Sequence, residues 1–173
     1  MKNFACLMIL ALISGCSNKI KSSGPKSESI RETEIQYIKN NDFISNALND
    51  YEINSITKKY RKVLKCIKNP VVNIHNPSII DTIYVFSDSK NKIEIYRALH
   101  ADLIFTFDVS DSKYELSNNI KPGITKDIFI ENMKIKTAIN DTVRIGHTEG
   151  MQYFTFYFKK AKLKRIEFYT YID

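Results

Sequence analysis

The chain has 173 residues and a formal charge of +7, with 26 Lys and Arg against 19 Asp and Glu. That length suits one ordinary domain with its own core. Two of its three cysteines, Cys6 and Cys16, fall in the first sixteen residues, so Cys66 has no internal partner and a disulfide framework is excluded.

The chain opens with a basic residue, Lys2, an apolar run over residues 4–13, and small residues before Cys16. Such a run is about the length of a signal-peptide core and about half that of a membrane-spanning helix. A secretory signal peptide is therefore expected over residues 1–15. The run Ile13-Ser14-Gly15-Cys16 resembles the lipobox of bacterial lipoproteins, with Ile in place of the commoner Leu. The resemblance implies cleavage before Cys16 and a diacylglycerol on its thiol. Two or more acyl chains hold a protein stably, at ~0.8 kcal/mol per buried methylene. It places the chain in the bacterial cell envelope, membrane lipid being the first partner, through acylated Cys16. Ser17 follows the cysteine, and residues 17–25 hold no acidic residue. The expected location is the outer membrane, facing the periplasm. Nucleic acid is not an expected partner there. The positive charge is met by water, as on a lysine-solubilised surface, or by anionic lipid, lipopolysaccharide or an acidic partner.

Residues 16–28 are Ser, Lys, Gly and Pro with little apolar content and read as a flexible tether. A single α+β domain is expected over residues 29–173. Its N-terminal part reads as helical. Ser29-Ile30-Arg31-Glu32 has the form of a capping box, and Ile56, Tyr60, Val63, Leu64 and Ile67 fall on one helical face. A strand over residues 60–67 is the alternative. Asn69-Pro70 is expected to close this element. Cys66, among Val63, Leu64 and Ile67, reads as a buried, inert thiol.

After Pro77 the apolar period falls to two. Strands are expected over residues 79–86, 93–99 and 103–109, with turns at residues 87–91 and 100–102. Residues 114–116 could add a short strand. Pro122-Gly123 makes a turn, Thr125 caps a helix, and Asp127 lies in its first turn. Ile128, Phe129 and Met133 are assigned to its core face. Three strands follow, over residues 142–147, 151–158 and 163–172. In the last hairpin, Phe156 is expected to oppose Ile166 and Phe154 to oppose Phe168, because a one-residue slip would bury Arg165 and Glu167. The other face then pairs Tyr153 with Tyr169, Thr155 with Glu167 and Tyr157 with Arg165.

Catalytic and metal signatures are not evident. His75, His100 and His147 lack the spacing of zinc ligands, and no phosphate-cradling or nucleophile motif occurs. No cofactor is expected, and the chain reads as a non-enzyme. The candidate interaction face is formed by Tyr153, Tyr157, Tyr169 and Tyr171 with Arg165, since Tyr and Arg offer large contact area with a polar tip. Such a face is more often covered by a helix or by the chain's own N-terminal segment as a second core. The basic hairpin turn, Lys159, Lys160, Lys162 and Lys164, could touch anionic head groups or simply prevent edge pairing.

Gly123, Thr125, Lys126, Phe129, Phe156, Phe158, Leu163 and Ile166 form a pattern that resembles small outer-membrane lipoproteins of the SmpA/BamE kind. Asp81-Thr82-Ile83-Tyr84 and Ile93-Glu94-Ile95-Tyr96 resemble uncharacterised Bacteroidota lipoproteins. These resemblances imply fold and compartment, and no functional residue transfers with them. The expected role is a lipid-anchored, non-catalytic interaction or structural module. An inhibitor or immunity lipoprotein, neutralising an envelope-acting toxin or hydrolase, is the alternative.

Overall fold

The computed structural model describes residues 34–99, 101–147 and 152–170. The expected signal peptide, the tether with Cys16, and the capping box at residues 29–32 lie outside the described residues. Eight strands form one sheet: β1 (Gln36–Lys39), β2 (Lys65–Val72), β3 (Ile80–Ser87), β4 (Lys92–Arg97), β5 (Asp102–Val109), β6 (Thr142–Gly146), β7 (Tyr153–Lys159) and β8 (Lys162–Tyr169). Their spatial order is β1-β6-β7-β8-β5-β4-β3-β2. The β1–β6 pair is parallel and the remaining pairs are antiparallel. Three short helices, α1 (Asn41–Asn46), α2 (Ile53–Tyr60) and α3 (Lys126–Asn132), complete the fold.

This architecture corrects the expected α+β fold with a leading helical segment. The described chain starts in a strand, and the sheet is mixed and dominant. Two local signals misled the reading. Gln36–Lys39 gains its partner from β6, a hundred residues away, so short-range periodicity cannot reveal it. Gly146 makes room for this strand: a Cβ there would come within 2.7 Å of the Tyr37 ring. The helical face read through Ile67 stops at Tyr60, and Lys65 onward is β2. Pro70 lies inside β2 rather than ending a helix. As an edge strand, β2 tolerates a residue that lacks an N–H. Residues 114–116 form no strand; Leu116 bridges Ile120 in isolation.

All three helices lie against the same sheet face. Phe43 at α1 meets Phe154 edge-on at 5.4 Å between ring centroids, and Phe129 of α3 meets Phe156 at 4.8 Å. Tyr51, just before α2, meets Phe107 at 4.9 Å. Local chemistry sets the helix starts. The Asn40 side chain accepts from the Phe43 N–H at 3.0 Å, and the Thr125 hydroxyl accepts from the Ile128 N–H at 3.3 Å. Phe129 and Met133, an i, i+4 pair, are buried as expected, whereas Ile128 is 45% exposed.

The β7–β8 hairpin has the expected register. Phe154 opposes Phe168, Phe156 opposes Ile166, Tyr153 opposes Tyr169, Thr155 opposes Glu167 and Tyr157 opposes Arg165. A bulge between Tyr157 and Phe158 then pairs Phe158 with Leu163. Lys160 and Ala161 make a two-residue turn, both with positive φ (53° and 56°).

Candidate binding face

Side chains alternate across a strand, so each core residue of β7 and β8 sends its neighbour to the opposite face. Phe154, Phe156, Ile166 and Phe168 face the helices and are buried. Tyr153, Tyr157, Arg165, Glu167 and Tyr169 face away from them. Among the described residues no helix covers this second face. The chain's own N-terminal segment, the other cover expected, lies outside the described residues, and Tyr169 is 56% exposed. Tyr171, the fourth tyrosine expected on this face, lies outside the described residues.

The sheet brings further residues to the expected set. Thr106 and Asp108 arrive from β5, Arg144 from β6, and Thr155 from β7. With Tyr153, Tyr157, Glu167 and Tyr169 they line a shallow depression of about 300 Å³. The Arg165 guanidinium donates twice to the Asp108 carboxylate, Nε and Nη2 each at 2.7 Å, and lies 2.6 Å from Glu167. Forked geometry of this kind fixes orientation as well as charge. The Tyr157 hydroxyl donates to the Glu167 carboxylate. Burial, together with that carboxylate, pushes the Tyr157 pKa up to about 12. The Asp108 carboxylate raises the Arg165 pKa further above its ordinary value.

Arg144 is placed differently. Its guanidinium stacks on the Tyr153 ring at 4.3 Å, and its Nε donates to Thr155 Oγ1 at 3.4 Å. Among the described residues it has no carboxylate partner. Arg165 is thus neutralised in place and Arg144, among the described residues, is not. The face offers, among the described residues, flat aromatic area, hydroxyls, two engaged carboxylates and one cation available to an incoming acceptor. That chemistry suits recognition by stacking and hydrogen bonding.

Only part of this set was visible in the sequence. Glu167 and Thr155 were placed beside the tyrosines by the hairpin register. Asp108 carries no such signal, because its meeting with Arg165 depends on the β5–β8 pairing. Arg144 carries no local signal; the β6–β7 register, which sets it opposite Thr155, reveals it.

Other candidate residues do not join the face. Cys66 is exposed on edge strand β2, which corrects the expectation of a buried thiol. Partial desolvation raises its pKa, and Lys68 partly offsets the rise. His75 lies in the β2–β3 turn, His147 just after β6, and His100 is outside the described residues. Among the described residues no group of three or more His, Cys, Asp or Glu side chains could hold a metal ion. Nor is any helix among them long and apolar enough to cross a membrane. No family model matches the chain, and no curated protein or solved structure does so either.

Proposed function

We propose that the chain is a lipid-anchored lipoprotein of the cell envelope that works as a non-catalytic interaction module. Acylated Cys16 holds it to the outer membrane on the periplasmic side, and a protein partner docks on the open sheet face. The observation that carries the docking face is that, among the described residues, no helix covers it on a sheet packed on its other side. Tyr153, Tyr157 and Tyr169 present their rings there, while Arg165, Asp108 and Glu167 hold the surface in one arrangement. A surface ordered before binding loses little side-chain entropy on association. Tyrosine adds contact area at a cost of two rotatable bonds. The lipobox pattern supports the anchor.

A photocrosslinking residue at position 169 tests the docking face in cells. The reading expects a discrete adduct whose yield falls at least about tenfold when Tyr153 and Tyr157 are both changed to Ala. An unchanged yield in that variant, with its urea midpoint near that of the parent, refutes the face.

A further inference from the structure

Charge is distributed unevenly along the strands. One end of the sheet gathers the end of α2, the start of β2 and the β7–β8 turn. Lys58, Lys59, Arg61, Lys62 and Lys65 lie at its α2–β2 side. Lys159, Lys160 and Lys162 lie at the hairpin tip, four strand spacings or roughly 19 Å across the sheet from β2. Among the described residues none of these eight has a carboxylate within salt-bridge distance. Of the nearby acids, Asp88 and Asp111 are engaged by Lys113 at 3.6 and 3.3 Å and Asp141 by Lys126 at 2.7 Å, while Asp127, next to the Lys126 whose N–H bonds Ala161, is exposed and sets one negative charge against the cluster. The opposite end carries Asp42, Glu52, Asp81 and Asp102 against Lys39, Arg97 and Lys134, and Arg97 is itself paired with Asp102 at 2.7 Å.

The fold does not require this concentration. Lys159 directly opposes Lys162, and like charges in opposed positions destabilise a ladder. Lys160 occupies a left-handed position (φ 53°) that Asn or Gly adopts more cheaply. At the hairpin, protection of a sheet edge is not the reason either, because β7 and β8 are interior strands with neighbours on both sides; Lys65 alone of the eight lies on an edge strand, β2.

The chain enters the sheet at this same end, since Gln36 of β1 pairs with Val143 near the start of β6. From Cys16 to Glu34 eighteen peptide units could span at most ~60 Å. We infer that the basic end of the sheet is a membrane-apposed surface that binds the anionic headgroups of phospholipids. It holds the domain with its strands upright and its tyrosine face standing clear of the bilayer. The inference relies on the proposed anchor to bring the two surfaces together, and its chemistry is that of the lysine cluster alone. Anionic lipid is favoured over an acidic protein because tether entry and charge coincide at one end. Clustered basic residues beside an anchor gain affinity from each headgroup contact.

Lysine acylation footprinting of the full-length gene product tests this with two vesicle types. One is pure phosphatidylcholine; in the other about a third of the lipid is phosphatidylglycerol. The expected result is protection of Lys58, Lys62, Lys159 and Lys160 by the anionic vesicles only. Lys39 stays reactive, and protection disappears in about 1 M salt, where the screening length is about 3 Å. In the variant Lys159→Gln/Lys160→Gln/Lys162→Gln, protection at Lys58 and Lys62 falls at least ~5-fold, the equivalent of ~1 kcal/mol. Equal protection by both vesicle types, or equal protection of Lys39, overturns the inference. So does protection by neither, which would leave an acidic protein as occupant. Flotation with phosphatidylcholine vesicles reports the anchor separately: its loss with charge-dependent protection retained removes the anchoring reading alone.

Discussion

Truncating neighbouring residues on one hairpin should separate the packed face of the sheet from the open one. Phe156 is fully buried and contacts Phe43, Phe129 and Phe154 at centroid distances of 6.1, 4.8 and 6.0 Å. Replacing it by Ala loses its transfer free energy and three aromatic contacts, and leaves a cavity that the sheet cannot close. The expected cost is about 3–5 kcal/mol. Tyr157 follows it in sequence and points the other way. Its truncation removes a partly buried ring and the bond to Glu167, at about 1 kcal/mol. Tyr169 is 56% exposed, and its truncation should stay within about 0.5 kcal/mol. Urea unfolding with an unchanged slope reads all three as midpoint shifts. A cost for Tyr157→Ala or Tyr169→Ala comparable to that of Phe156→Ala would show a second packed layer over this face and refute the reasoning.

The same structure fixes three further outcomes. Tyr157 should hold its proton to about 12, two units above free tyrosine. Because its folded pKa is raised, its stabilisation is complete below about pH 10 and is lost as pH rises through about 12. The ultraviolet difference between parent and Tyr157→Phe should show that step, and Glu167→Gln should move it down; a step near 10 in the parent contradicts the geometry. Among the described residues the buried Tyr114 hydroxyl has no hydrogen-bond partner, so Tyr114→Phe should be neutral or raise stability by up to about 1 kcal/mol in thermal unfolding. A loss above about 1 kcal/mol would reveal a partner for that hydroxyl. Ala161→Gly should stabilise by about 0.5–1 kcal/mol, since Ala161 sits at φ 56° in the hairpin turn. A lower urea midpoint would show that the turn is not left-handed there.

The readable parts of the fold were those where one face is dry and the other wet. In β7 and β8 the phenylalanines and isoleucines keep strict parity against Tyr, Arg and Glu, so strand, face and register all follow. Thr125 and Phe129 likewise marked α3 by a cap and a core contact one turn later. Edge strand β2 has almost every residue exposed, so no alternation marks it, and Lys65, Lys68 and Pro70 read as a helix end. Strand β1 is four residues long and owes its conformation to a distant parallel partner. On the candidate face, Tyr153, Tyr157, Tyr169 and Arg165 were legible from hairpin parity. Asp108 and Arg144 were not, because neighbouring strands deliver them through long-range pairing.

The account stands on a chain tethered through one sulfur, with its open face free. Intact mass of the protein from envelope membranes, after growth with a clickable fatty acid, tests this most directly. The predicted product begins at Cys16, carries a diacylglyceryl group and is labelled on that residue. An unlabelled chain that still retains residues 1–15 would contradict the account.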